Sequence, residues 1–231
     1  MPLKPLTSIA LLLSGTAFLA ACGRADTPSS ATPSPSASLV RPSGPPPRPR
    51  LVCLGDSLTA GYGLSKDEAY PALLQQRLSA AGHDWEVVNA GVSGDTSAGG
   101  LSRLEWSIEG DVRILVVALG ANDGLRGLPV DAMSANLSRI IERAQAREIQ
   151  VVLAGMEALS NMGPAYRRAF HDVFPALARR YHVAFVPFLL EGVAARPELN
   201  LPDGVHPNAA GQRRIANLLW PAIEPLLPRS R

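Results

Sequence analysis

Residues 51–63 read LVCLGDSLTAGYG. Four apolar residues, Leu51–Leu54, run straight into Gly55, Asp56 and Ser57, and further glycines follow at Gly61 and Gly63. A short continuous apolar run closed by glycine reads as a strand buried on both faces. Ser57 then stands between an aspartate and a turn. Its simplest reading is a helix cap, because Ser and Asp oxygens accept the orphan N–H groups of a first helical turn. Whether the serine is more than a cap depends on the rest of the chain.

The pattern begun at Leu51 repeats. Strands are expected at Leu51–Leu54, Glu86–Asn89, Ile114–Leu119, Val151–Ala154 and Ala184–Pro187. Between them lie helical stretches at Tyr70–Ala81, Ser97–Ile108, Val130–Arg147, Ala165–Arg180 and Ala209–Leu226. ILVVAL and VVLAG are apolar throughout rather than alternating, as parallel strands covered on both sides require. Strands alternating with helices imply an α/β fold: a three-layer, doubly wound, mainly parallel five-stranded sheet with helices on both faces, flavodoxin-like in type. Ligands of such sheets bind beyond the carboxyl ends of the strands. The loops Gly55-Asp56-Ser57, Ala90–Asp95 and Gly120–Asp123 each follow a strand, so all three are expected to open on one edge. Three unrelated caps would not converge in this way.

A serine hydroxyl needs a base before it attacks anything. There are four histidines. His83 belongs to a helix-to-strand turn, and His171 and His182 fall within or at the end of an Arg-rich helix, where solvated or capping roles suit them. His206 is different. It lies in LPDGVHPN (201–208), three residues after Asp203, close enough for the carboxylate to orient the imidazole and stabilise its cation. The alternative for D-x-x-H is a metal pair or an aspartate-capped turn, and no further metal ligands cluster nearby.

Taken together, Gly55-Asp56-Ser57-Leu58, Gly94 in SGDT, Asn122 in GAND and Asp203-Gly-Val-His206 resemble the GDSL, or SGNH, hydrolases. The four blocks fall in the family order and the likeness covers residues 50–227. It is nearest to the bacterial periplasmic arylesterase and multifunctional thioesterase/lysophospholipase branch, through NAGVSGDTSAGGLSRL, GANDGLRG and DGVHPN. The resemblance implies Ser57 as nucleophile, His206 as base then acid, and Asp203 as its orienting partner. It also implies an oxyanion held by the Ser57 and Gly94 backbone N–H groups and the Asn122 amide, with no metal or organic cofactor. Gly91-Val92-Ser93-Gly94 imitates a nucleophile elbow, but Asp95 stands where that motif needs glycine, so Ser93 reads as a turn residue. Asp56, Asp95 and Asp123 read as loop-holding carboxylates.

Composition sets the remaining bounds. The first fifty residues carry five cations against one carboxylate, and Arg229 and Arg231 close the chain, so the stretch 51–228 is net acidic. A nucleic-acid partner would call for a basic folded part and is set aside. The two cysteines, Cys22 and Cys53, make no disulfide framework; Cys53 reads as a small buried residue. Lys4, the apolar run Ile9–Ala21 and Leu19-Ala20-Ala21-Cys22 resemble a lipoprotein leader with its lipobox, acylated at Cys22. Residues 1–21 are expected to be the signal peptide and 22–49 a Pro/Ser-rich disordered tether, with 50–231 the hydrolase domain. Gly23, where inner-membrane retention favours aspartate, leans the expected location toward the outer membrane, facing the periplasm.

The expected activity is hydrolysis of carboxylic esters or thioesters (aryl esters, acyl thioesters or lysophospholipids) through an acyl-enzyme on Ser57, by a monomer anchored to the membrane through lipid. Met156–Tyr166 and Leu125–Pro129 are expected to line an acyl groove. Rival readings are a carbohydrate acetyl esterase, which favours Trp-rich and acidic loops that are absent here, and a non-catalytic envelope-binding lipoprotein, which has no use for a matched triad. A flavodoxin-like nucleotide binder would need a G-x-G-x-x-G turn after the first strand, and none is there.

Overall fold

The structure, a computed structural model, describes residues 48–228; the leader, Cys22 and nearly all of the tether lie outside the described residues. Five strands, β1 (Arg50–Gly55), β2 (Glu86–Gly91), β3 (Val112–Ala118), β4 (Gln150–Ala154) and β5 (Ala184–Val186), form one sheet in the order β2-β1-β3-β4-β5. Every pairing is parallel. The helices are α1 (Ser57–Ala60), α2 (Tyr70–Ala80), α3 (Ser97–Ser102), α4 (Leu104–Ser107), α5 (Ala121–Leu125), α6 (Val130–Gln145), α7 (Pro164–Tyr181) and α8 (Ala209–Ile223).

Parallel neighbours need crossover connections, and these are right-handed. From β1 the chain steps one way to β2, then crosses back past β1 to β3 and continues to β5. Right-handed crossovers therefore put α2 on one face and α3, α6 and α7 on the other. The packing follows: α2 pairs with α8, while α6 packs on α3 and α7. The central strands β1, β3 and β4 are buried along nearly their whole length, whereas edge strand β2 is half-exposed. Leu51, Leu54, Ile114, Leu115, Leu74 and Phe170 are among the fully buried side chains. Cys53 is buried with them, and burial pushes its thiol far above the usual range.

Two expected helices depart from their reading. Ser97–Ile108 is two short helices, broken where Arg103 turns inward to bond Asp95 and the Gly55 carbonyl. The last helix ends at Ile223 and tightens into a 3-10 turn, Glu224–Leu226. The sheet reverses its winding between β1 and β3, so the crevice for a ligand lies outside their carboxyl ends.

Candidate active site

The bland reading of the opening motif is half right. A cap does sit after β1, but it is Asp56: its Oδ1 accepts the Leu58 N–H at 3.0 Å. Ser57 is thereby the first residue of α1, with a hydroxyl free of capping duty and an N–H that a helix leaves unpaired. The chain turns this sharply because Gly55 has no side chain. A Cβ there would stand 1.9 Å from Thr59 Oγ1 and 2.9 Å from the Ala118 carbonyl oxygen.

His206 arrives from the opposite side of the crevice, on the loop between β5 and α8. Leu201 N–H donates to the His206 carbonyl at 2.7 Å, and Asn200 bridges to Pro207. Asn208 then caps α8 through the N–H groups of Ala210 and Gly211. Asp203 Oδ1 accepts the backbone N–H groups of Val205 and His206, each at 2.9 Å. The aspartate-turn alternative and the triad geometry thus coexist in one residue. With His206 Nδ1–H given to Asp203 Oδ2 at 2.8 Å, Nε2 is left to accept the Ser57 hydroxyl 3.0 Å away. The backbone N–H of His206, then that of Val205, hold the Asp203 carboxyl down at about 2.

The other two loops close the site. Gly94 takes φ +85°, a conformation that a side chain strains, and its carbonyl accepts from Arg126 at 2.9 Å. Asp95 pairs with Arg103 at 2.6 Å, and Arg103 donates onward to the Gly55 carbonyl at 2.9 Å, tying the second loop to the first. Asn122 Nδ2 gives one hydrogen to the Asp95 carbonyl at 2.9 Å. Its other contact, to Asp56 Oδ2, is 3.3 Å, at the long end for such a bond. Burial pushes the Asp56 carboxyl up to about 6, against the bonds from Leu58 and Asn122 that lower it. Asp123 accepts both the N–H and the hydroxyl of Ser97, at 2.7 and 2.6 Å. Asp56, Asp95 and Asp123 therefore hold loops together, and Ser57, Ser93, Gly94, Asn122 and His206 all border one cleft.

That cleft has a volume of about 780 Å³. Met156, Ala158 and Leu159 line it as expected, but only Leu125 of the stretch 125–129 does so. Arg126 is spent on Gly94, and Tyr166 points to the Leu128 carbonyl, 2.9 Å away, outside the lining. The remaining wall, Phe188, Leu190, Ala194 and Ala195, comes from the loop after β5; its sequence has no period that marks it. Tyr62 was also missed: its ring lies 4.4 Å from the His206 ring, tilted by 36°. A third omission is Gln212, buried on α8, which accepts the Tyr70 N–H and donates to the Leu58 carbonyl. Its signal was available, since Gln212, Ile215, Leu219 and Ile223 share one otherwise apolar helix face. Of the other histidines, His171 pairs with Glu157 at 2.6 Å and His182 ends α7 in the left-handed conformation.

Comparison with known proteins identifies the family. The model of the GDSL-like Lipase/Acylhydrolase family matches residues 53–214. Esterase TesA of Pseudomonas aeruginosa is 43% identical over 178 residues, 77% of this chain and 89% of that protein. Thioesterase 1/protease 1/lysophospholipase L1 of Escherichia coli is 37% identical over 178 residues, 77% of this chain and 84% of that one. A crystal structure of TesA superimposes with a TM-score of 0.74 at 42% identity, covering 78% of this chain and all of the other. The family match runs over more than half of the chain and takes in every residue from Ser57 to His206: this chain belongs to the GDSL-like lipase/acylhydrolase family and is an ester hydrolase.

Proposed function

We propose that Ser57 is the nucleophile of a two-step acyl transfer to water, acting on esters and thioesters of apolar acyl groups. The observation that carries this is the unbroken chain Ser57 Oγ, His206 Nε2, His206 Nδ1, Asp203 Oδ2, with links of 3.0 and 2.8 Å. His206 takes the serine proton as Oγ bonds to the acyl carbon, and Asp203 stabilises the imidazolium that results. The oxyanion sits against the Ser57 and Gly94 N–H groups and the Asn122 amide, whose 3.3 Å bond to Asp56 is weak enough to exchange for it. His206 then protonates the departing alkoxide or thiolate. Water enters, loses its proton to His206, and attacks the acyl-enzyme; the acid leaves and Ser57 regains its hydrogen.

Substrate class follows from the walls. The cleft is bordered by Met156, Leu159, Phe188 and Leu190, which suits aryl esters, fatty acyl thioesters and single-chain phospholipids. The names of the relatives, an esterase and a thioesterase/lysophospholipase, support the same range. The test is a fluorophosphonate probe on the purified full-length chain, with the adduct located by peptide mass spectrometry. Label on Ser57, lost in His206→Ala, is expected; a folded protein that takes no label ends the assignment.

The place of action is the cell envelope, with the chain held through acylated Cys22 and facing the periplasm. The leader Lys4–Cys22 and the Pro/Ser-rich stretch behind it support this. Cys22→Ser is expected to move the protein from the membrane to the soluble fraction; retention after a salt wash sinks the anchor.

A further inference from the structure

Six large apolar side chains are prominently exposed among the described residues: Tyr62, Val92, Trp106, Leu125, Leu159 and Val205. Their distribution is uneven. Tyr62, Leu125, Leu159 and Val205 border the cleft, and Val92 adjoins Ser93 and Gly94, which do so too. These five come from five different connections, the segments that follow β1, β2, β3, β4 and β5, with Leu125 at the end of the short helix α5. Each is between 44% and 52% exposed. Only Trp106 lies elsewhere, on α4 beside Glu105, which pairs with Arg143 and Arg147 near the far end of α6. Separate apolar residues scattered over a surface need no explanation, whereas a set gathered around one opening marks an interaction site.

We infer that this rim is a docking surface for a lipid assembly, a bilayer or micelle, from which the cleft draws single-chain amphiphiles. The inference rests on the reading of the cleft as an ester-hydrolysing site. The choice of occupant follows from the placement of the rim. A protein partner or a second copy seated on all five residues would seal the entrance the substrate must use. A lipid surface covers the same residues and is itself the source of substrate. Its acyl region is matched by a rim whose apolar walls continue inward as Met156, Phe188 and Leu190, so a chain leaving the lipid stays out of water along the path.

The length of chain outside the structure allows this docking. β1 begins at Arg50, on the sheet edge opposite the cleft, so a domain held close at its amino end would turn its rim away from the membrane. A domain of this size is about 40 Å across. Twenty-six residues, 22–47, separate Cys22 from the described domain, and a chain of that length spans at most about 90 Å. The reach exceeds the domain, and the rim can face the bilayer that holds the anchor.

The test is flotation with neutral phosphatidylcholine vesicles, using residues 22–231 with Cys22→Ser, so that neither the apolar leader nor an acyl anchor acts, and Ser57→Ala, so that no turnover enters. The parent protein is expected to float. Adding Val92→Asp and Leu159→Asp, both on exposed positions, is expected to cut the bound fraction at least tenfold, with circular dichroism unchanged. Trp106→Asp is expected to leave it within twofold. A parent that does not float overturns the inference, as does a double variant that floats like the parent or a Trp106→Asp protein that loses as much. A parent that sediments as a dimer, and as a monomer in the double variant, assigns the rim to a second copy and overturns it equally. Labelling of Ser57 by the fluorophosphonate probe is independent of all these outcomes, so failure of the rim and failure of the active-site reading are told apart.

Discussion

Asp203 holds His206 by both of its carboxylate oxygens: Oδ2 accepts the ring Nδ1–H at 2.8 Å while Oδ1 accepts the backbone N–H of the same residue at 2.9 Å. One side chain thereby fixes the position of the loop and the tautomer of the ring. The two duties use different atoms, so they can be separated by substitution.

Asp203→Asn keeps an oxygen for the two backbone N–H groups but presents an NH2 to Nδ1. The ring must then carry its hydrogen on Nε2, where it donates to Ser57 instead of accepting from it. The same exchange in a serine protease triad costs about 10⁴ in kcat, and a loss of that order is expected here, with KM little changed and the melting temperature at neutral pH lowered, because the ionised carboxylate that held the two N–H groups is gone. Acid unfolding gives a second check. An unperturbed aspartate titrates near 3.9, and Asp203 sits at about 2. Its folded pKa is depressed, so its stabilising contribution is present above about pH 4 and is lost as the pH falls from there through 2. Melts across this range should show that loss in the wild type and not in the asparagine variant; parallel curves would contradict it.

Asp56 runs the opposite way. Burial lifts its carboxyl to about 6, so the folded state holds its proton more tightly than the unfolded chain does. Stability is favoured below about pH 4, falls as the pH rises from there to 6, and carries the full cost of the buried charge above 6. The shift corresponds to about 3 kcal/mol at most, a net cost that the bonds from Leu58 and Asn122 have already reduced. Asp56→Asn keeps the cap, because asparagine oxygen accepts the Leu58 N–H as well as aspartate does. Its melting temperature is therefore expected to gain on the wild type as the pH rises through 6, with the two nearly equal near pH 4. The new NH2 meets the Asn122 amide donor to donor, so kcat is expected to fall while KM holds. A variant with unchanged kcat would show that Asp56 does not position Asn122.

How much of this was open to a reader of the sequence depended on the range over which each signal acts. Ile114–Leu119 and Val151–Ala154 announced themselves because strands covered on both faces have no polar side to interrupt them. Ser57, Gly94, Asn122, Asp203 and His206 were found because each sits in a short block of fixed order. The single-turn helices α1 and α5 were not found, since four or five residues hold too little of a helical period to be seen. The break at Arg103 is a tertiary event: a long side chain leaves the helix face to reach Asp95 and the Gly55 carbonyl. The wall formed by Phe188–Ala195 is of the same kind, an irregular segment whose position depends on the β5–α8 connection and not on its own pattern.

That wall supplies the remaining prediction. Ala194 shares the lining of the cleft with Leu125 and Leu159, and its small side chain leaves volume that a larger one would take. The cleft of about 780 Å³ has room for an extended acyl chain beyond the reacting carbonyl. Ala194→Trp fills part of that room while leaving Ser57, Asp203 and His206 unsubstituted. Short acyl groups do not need the lost volume, whereas each methylene denied an apolar contact changes kcat/KM by roughly tenfold or more. On a series of p-nitrophenyl esters the variant is expected to keep its acetate kcat/KM and to lose at least tenfold on octanoate. Ala194 is exposed, so the substitution has space to be accommodated and the acetate rate reports that the fold survives. An equal loss on every ester would mean that the residue supports the triad, and an unchanged octanoate rate would move the acyl chain to the Met156 side of the cleft.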